Sequence, residues 1–228
     1  MKNFIESFTN VWKIEELKNR ILVTLGLLLV YRFGAHVTLP GIDATQLSGL
    51  TGQTKEGIGS ILDMFTGGAF SKASVFALGI MPYISASIVV QLMGIAIPYL
   101  QKLQKDGESG RKKLNQITRW LTIGITLLQG PGYILNLRQT IPQGAFLLGF
   151  DSFSFLFSSV LILTTGTIFA MWLGEKITDK GIGNGISLLI MVGILARLPQ
   201  AFIQEFTTRV TNNNGGPMLL VIEIIVWL

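Results

Sequence analysis

Cysteine is absent from the 228 residues, histidine occurs once, and only 14% of the chain is charged. Without cysteine there is no disulfide framework and no thiolate zinc site. A lone histidine, His36, cannot assemble a metal cluster. Soluble domains carry about 25% charged residues, so charge here is too thin to cover a water-soluble globule of this size. What is abundant instead is apolar. Hydrophobic residues make up 49% of the chain and glycine occurs 26 times, with a mean hydropathy of +0.54. A disordered chain is excluded on the same count, and the expectation is a membrane protein.

A bilayer core of about 30 Å needs about 20 mostly apolar residues per helix. Residues 21–39, 75–98, 117–136, 153–173 and 182–203 satisfy that length. The run 217–228, PMLLVIEIIVWL, would cover only about 18 Å as a helix. It reads either as re-entrant or, preferably, as the start of a sixth span. A half-span would leave helix carbonyls unsatisfied in hydrocarbon. The fold class expected is therefore all-α: a polytopic helical membrane protein with five complete transmembrane helices and the start of a sixth. No cleavable signal is expected, because Lys2, Lys13, Lys18 and Arg20 precede any long apolar run. Phe4, Ile5, Phe8, Val11 and Trp12 recur at helical spacing, so residues 1–20 read as a cytoplasmic amphipathic segment on the membrane surface. With the N-terminus inside, twelve of the eighteen basic residues fall on inner segments, and the positive-inside rule favours that orientation.

Three stretches between or beside the spans are unusual. In GIGSILDMFTGG, Ile58, Ile61, Leu62 and Phe65 sit at i, i+3, i+4, i+7, which predicts a short apolar helix ending at Gly67-Gly68. Too short to span, it is either re-entrant or a helix resting on the outer surface. Residues 101–119, QKLQKDGESGRKKLNQITR, read as a basic cytoplasmic hairpin with a glycine-marked turn. It reads as a solvated positive-inside loop or as a docking site for an acidic partner. GIGNG at 181–185 lacks the spacing of a dinucleotide loop and reads as a turn, with Asn184 or Gly183 at a helix start. Enzyme signatures are poor: Ser85, Ser87 and Gln91 in the second span have no accompanying base, and such residues more often bond neighbouring helices or line an aqueous path.

MFTGGAFSKASVFALGIMPYISASIVVQL (64–92), KDGESGRKKLNQITR (105–119), MWLGEKITDKGIGNGIS (171–187) and RFGAHVTLPGID (32–43) together resemble the SecY family. That family is the central subunit of the bacterial Sec protein-translocation channel. The resemblance covers the chain in the family's order, and the family has ten spans in two pseudo-symmetric halves. It implies an N-terminal half: spans one to five over 21–203, an external loop and truncated sixth span over 204–228, and a cytoplasmic loop at about 101–116. By the same resemblance, 58–70 is a plug closing the channel from outside, formed by Ile58, Ile61, Leu62 and Phe65, with Gly67 and Gly68 as hinge. Ile80 and Ile84 from span two, and Ile186 and Ile190 from span five, are implied as half of an aliphatic pore ring. Ser87 and Gln91 fall near the lateral gate. Lys105, Arg111, Lys112 and Lys113 are implied as a secondary contact for a cytoplasmic partner. Implied partners are SecE-like and SecG-like small membrane subunits, the SecA motor, the ribosome, a signal-bearing polypeptide, the C-terminal half of SecY and membrane lipids. The location implied is the bacterial inner (plasma) membrane, and neither a cofactor nor an enzymatic activity is implied.

Two rivals remain from the residues themselves. A fragment of a secondary transporter also has broken helices, and it needs buried charge at mid-membrane, for which Arg32 and Glu223 are the candidates. An intramembrane enzyme needs a nucleophile–base or carboxylate pair in the spans, and none is visible.

Overall fold

The computed structural model describes residues 13–47, 58–141, 145–146 and 153–211. Among these, the regular elements are helices: α1 Glu15–Gly34, α2 Ile58–Phe65, α3 Met81–Ala96, α4 Pro98–Lys105, α5 Gly107–Thr140, α6 Phe153–Lys180, α7 Gly185–Leu195 and α8 Leu198–Thr211. The only pairings of extended backbone among them are two isolated bridges, Thr38 with Ser74 and Ile42 with Phe146. The protein is an all-α membrane protein. By length and hydropathy Phe153–Lys180 and Gly185–Ile203 qualify outright as membrane-crossing helices. Met81–Ala96 and Pro98–Lys105 qualify as a pair bent by 103°. The sixth segment, 217–228, and the amphipathic stretch Phe4–Trp12 lie outside the described residues.

α5 lies against α3, α4 and α6, while α6 also carries α7 and α1. Two apolar clusters hold them. Tyr133, Ile134 and Leu137 of α5 meet Phe155, Val160 and Leu163 of α6 in one. Tyr31, Phe76, Ile80, Leu173, Ile177 and Leu189 form the other, drawing α1, α6 and α7 together. Thr118, Thr122 and Thr126 are buried along α5, and each hydroxyl donates to the carbonyl four residues earlier at 2.7–2.9 Å. The helix itself thus satisfies hydroxyls that hydrocarbon could not.

Three boundaries differ from the sequence expectation. The second span becomes helical only at Met81, because residues 66–80 run as turns. Positive φ at Gly67, Gly68, Ala73 and Gly79 keeps that segment out of the helical region. Its backbone bonds go sideways instead: Leu39 N–H donates to Ala73 O at 2.8 Å and Val75 N–H to Val37 O at 2.9 Å. Next, both arms of the basic hairpin 101–119 are helical, and the chain turns at Asp106–Gly107, where Gly107 has φ +67°. Gly110 makes the tight reversal possible, since a Cβ there would strike the Leu103 carbonyl. Last, the fifth span is interrupted after Leu195, and Pro199 opens α8, where its missing N–H has no partner to lose.

The GIGNG turn is tied to the first span. Asn184 caps α7, accepting from Ile186 N–H at 3.1 Å and Ser187 N–H at 3.3 Å. The buried Thr24 hydroxyl donates to Arg20 O at 2.8 Å and accepts from Ile182 N–H at 3.1 Å. Thr24→Val keeps the shape but leaves the Ile182 N–H without its acceptor, a loss of roughly 1–3 kcal/mol. Thr24→Ser keeps the hydroxyl. Thermal melting of the detergent-purified protein should fall for the valine variant and stay near the parent for serine. Equal melting of all three would remove the role given to this bond.

Candidate functional site

The short helix α2 forms as its spacing predicts, from Ile58 to Phe65. Leu62 and Phe65 are half-buried, whereas Ile61 and Met64 are exposed at 51% and 41%. Leu62 borders a cavity of about 320 Å³ that also touches Phe70, Met81, Ser85 and Tyr133. Ile58 begins the helix, and its side chain lies outside the described ones. Beyond Phe65 the chain reverses at Gly67 (φ +64°) and Gly68 (φ +90°), conformations that L side chains rarely adopt.

That turn is pressed onto the fifth span. A Cβ at Gly193 of α7 would lie 2.7 Å from the Phe65 carbonyl oxygen, and one at Gly67 would lie 3.0 Å from Gly193 Cα. Two arginines clamp it. Arg32 near the end of α1 donates to Gly67 O at 3.2 Å. Arg197, between α7 and α8, donates from Nη2 to Asp63 Oδ2 and, at 3.4 Å, to Ser71 Oγ. Asp63 is 1% exposed, and its other oxygen accepts from Ser71 N–H at 2.8 Å. Close by, burial and the neighbouring Arg32 charge lower the pKa of Lys72. Asp63, Arg32 and Arg197 are not among the residues expected at this site from sequence. The available signal was cost: one acid in an otherwise apolar IGSILDMF, and arginines inside apolar runs, are expensive unless paired.

The four isoleucines split. Ile80 caps the start of α3 and is 4% exposed, packed among Tyr31, Phe76 and Leu189. It faces into this half of the bundle and has little surface for a central path. Ile84 and Ile186 are half-buried against that same cluster. Ile190 borders a separate open groove with Ser187, Met191, Ile194 and Leu195.

On α3, Gln91 Nε2 donates to Ser87 Oγ at 3.2 Å. This polar pair sits beside the exposed Ile88, Val89, Leu92 and Ile95. Along the basic hairpin Lys105 ends α4, while Arg111, Lys112 and Lys113 are exposed on the first turns of α5. Glu108 already neutralises Lys112 at 3.1 Å. Further along α5, Arg119 Nε donates to Glu175 Oε1 of α6 at 3.1 Å, tying the two helices. Of the transporter candidates, Arg32 is engaged by the Gly67 carbonyl, and Glu223 lies outside the described residues.

A family model described as SecY matches residues 74–228. Protein translocase subunit SecY of Escherichia coli K12 is 44% identical over 212 residues, covering 93% of this chain and 48% of that protein. The subunit of the same name from Buchnera aphidicola subsp. Schizaphis graminum is 46% identical over 198 residues, covering 86% of this chain and 45% of its own. That of Vibrio cholerae is 48% identical over 191 residues, covering 84% and 42%. The chain thus spans about half the length of the curated relatives it matches. Among solved structures, Sec61 in the canine ribosome–channel complex from the endoplasmic reticulum superposes with a TM-score of 0.49 at 20% identity, covering 92% of this chain and 42% of that one.

Proposed function

The chain belongs to the SecY family, and on that premise we propose that it forms the N-terminal half of a protein-conducting channel and not an enzyme. It passes unfolded secretory polypeptides across a bacterial plasma membrane and releases apolar segments into it. The observation that carries this reading is identity of 44% with a translocase subunit along 93% of the chain. The excess of lysine and arginine on the inner segments supports a cytoplasmic N-terminus.

In this reading α2 is the plug, hinged at Gly67 and Gly68 and seated on α7. Ile84, Ile186 and Ile190 contribute aliphatic surface to a constriction, with Ile80 as a buried buttress behind them. Such a ring excludes water and ions by dewetting, yet its flexible side chains yield to a passing chain. The exposed apolar face of α3 around Ser87 and Gln91 is one wall of a lateral gate. A passing segment then sorts by transfer free energy: central charges, at about 2.5–3.5 kcal/mol each, keep it in the channel, and an apolar segment leaves into lipid. The C-terminal half and SecE-like and SecG-like subunits complete the wall. A SecA motor or a ribosome supplies the drive, and Arg111 and Lys113 offer a secondary electrostatic contact to it.

The test is reconstitution. The chain, assembled with its C-terminal half and small subunits in liposomes, should carry a signal-bearing polypeptide into a protease-protected lumen when a motor ATPase and ATP are added. Assembled liposomes that protect no polypeptide would overturn the proposal.

A further inference from the structure

The plug reading above leaves open what holds an eight-residue helix in place, and the inference rests on that reading. Within this half of the channel apolar docking is partial: Leu62 and Phe65 are half-buried, while Ile61 and Met64 face away from it. The firm contacts are polar and concentrate on one turn. Asp63 is buried to 1% exposure with both oxygens engaged, one by Ser71 N–H at 2.8 Å and one by Arg197. Arg32 holds the Gly67 carbonyl at 3.2 Å. Asp63 lies on the short helix, while Arg197 lies 134 residues away at the break of the fifth span. Both arginines also sit near the C-terminal end of α2, where its dipole favours positive charge.

We infer that Asp63 and Arg197 form a latch that fixes the plug to the fifth span, and that the channel opens by separating this pair. Its strength depends on the state of the path. The side chain of Asp63 is 1% exposed and that of Arg197 37%, so in a dry, closed channel separating the pair leaves a buried carboxylate uncompensated. Once a polypeptide brings water into the path, the same pair is solvated and contributes little. The latch is therefore firm when shut and weak once hydrated, which makes opening a two-state event. Arg197 acts through Asp63 and is a positioning residue; it lines no constriction.

The experiment uses the complete channel in liposomes, with halide leak as one readout and thiol labelling of Met64→Cys as the other. These 228 residues hold no cysteine, so with a cysteine-free C-terminal half and cysteine-free small subunits the label reports the plug alone. Arg197→Gln and Asp63→Asn should each raise leak about tenfold and speed labelling. The double variant should leak no more than either single one, because one interaction is removed once and no buried charge is left uncompensated. Parent-level leak and labelling in both single variants, or multiplying effects in the double, would overturn the latch. Asp63→Asn nearly preserves volume and can still accept from Ser71 N–H, so it serves as the reading if Arg197→Gln does not assemble. Failure of both to assemble makes the pair a plain structural pin and also overturns the latch. Parent channels that move no polypeptide would sink the functional reading instead, whereas translocating parents with leak-neutral variants sink only the latch.

Discussion

Replacing Ile84 and Ile190 together by serine should raise ion conductance of the assembled channel by tenfold or more. Each replacement removes three aliphatic carbons and adds a hydroxyl. At about 0.8 kcal/mol per carbon removed from the apolar lining, hydration of the constriction becomes easier by roughly 2 kcal/mol at each site. A change of about 1.4 kcal/mol is already a factor of ten. Ile84 is half-buried, and Ile190 borders an open groove, so both have surface to give to a path. Ile80 has almost none, at 4% exposed. Ile80→Ser should therefore act as a core truncation, lowering stability by about 2–5 kcal/mol. Single-channel current in planar bilayers separates the two cases. Unchanged current in Ile84→Ser/Ile190→Ser would return these residues to ordinary packing.

Ile80 shows where sequence reading stops. Ile80 and Ile84 share a helical face by their i, i+4 spacing, but spacing does not say what covers each end of that face. Phe76 and Tyr31 cover Ile80, and both come from segments outside the helix. The start of α3 was hidden for a related reason. Residues 75–80 are apolar enough to read as span, yet they run as turns, with Gly79 at φ +54° and Val75 packed against α6. That approach requires Gly166, where a Cβ would lie 3.0 Å from Val75 Cγ1. Local signals fared better. The spacing of Ile58, Ile61, Leu62 and Phe65 gave α2, and the asparagine of GIGNG gave the cap of α7, because each feature is decided within a few residues. Asp63 with Arg197 is decided by packing across 134 residues, and no periodicity carries that information.

The largest stability effect is expected at Gly185, where α6 and α7 cross. A Cβ there would overlap the Gly174 carbonyl oxygen and lie 2.7 Å from Ile177 Cβ. The obstacle is backbone on the opposing helix, which cannot rotate away. Two other contacts depend on the same approach. Gly185 N–H donates to the Thr178 hydroxyl at 2.9 Å, and Leu189 of α7 is wholly buried against α6 residues Leu173 and Ile177. Gly185→Val should force the helices apart and lose roughly 3 kcal/mol or more. For a chain of this size about 1 kcal/mol moves the melting temperature by about 2–4 °C, so a fall of about 6–12 °C is expected. Gly124→Ala is the matched control, because nothing lies within 4 Å of the added methyl in the middle of α5. It should leave melting unchanged or raise it slightly, since alanine favours helix over glycine by up to about 1 kcal/mol. Equal melting of Gly185→Val and Gly124→Ala would mean that the α6–α7 crossing is looser than its glycines require. The two isoleucines of α7 proposed for the constriction, Ile186 and Ile190, would then lack the fixed backbone from which a ring must project.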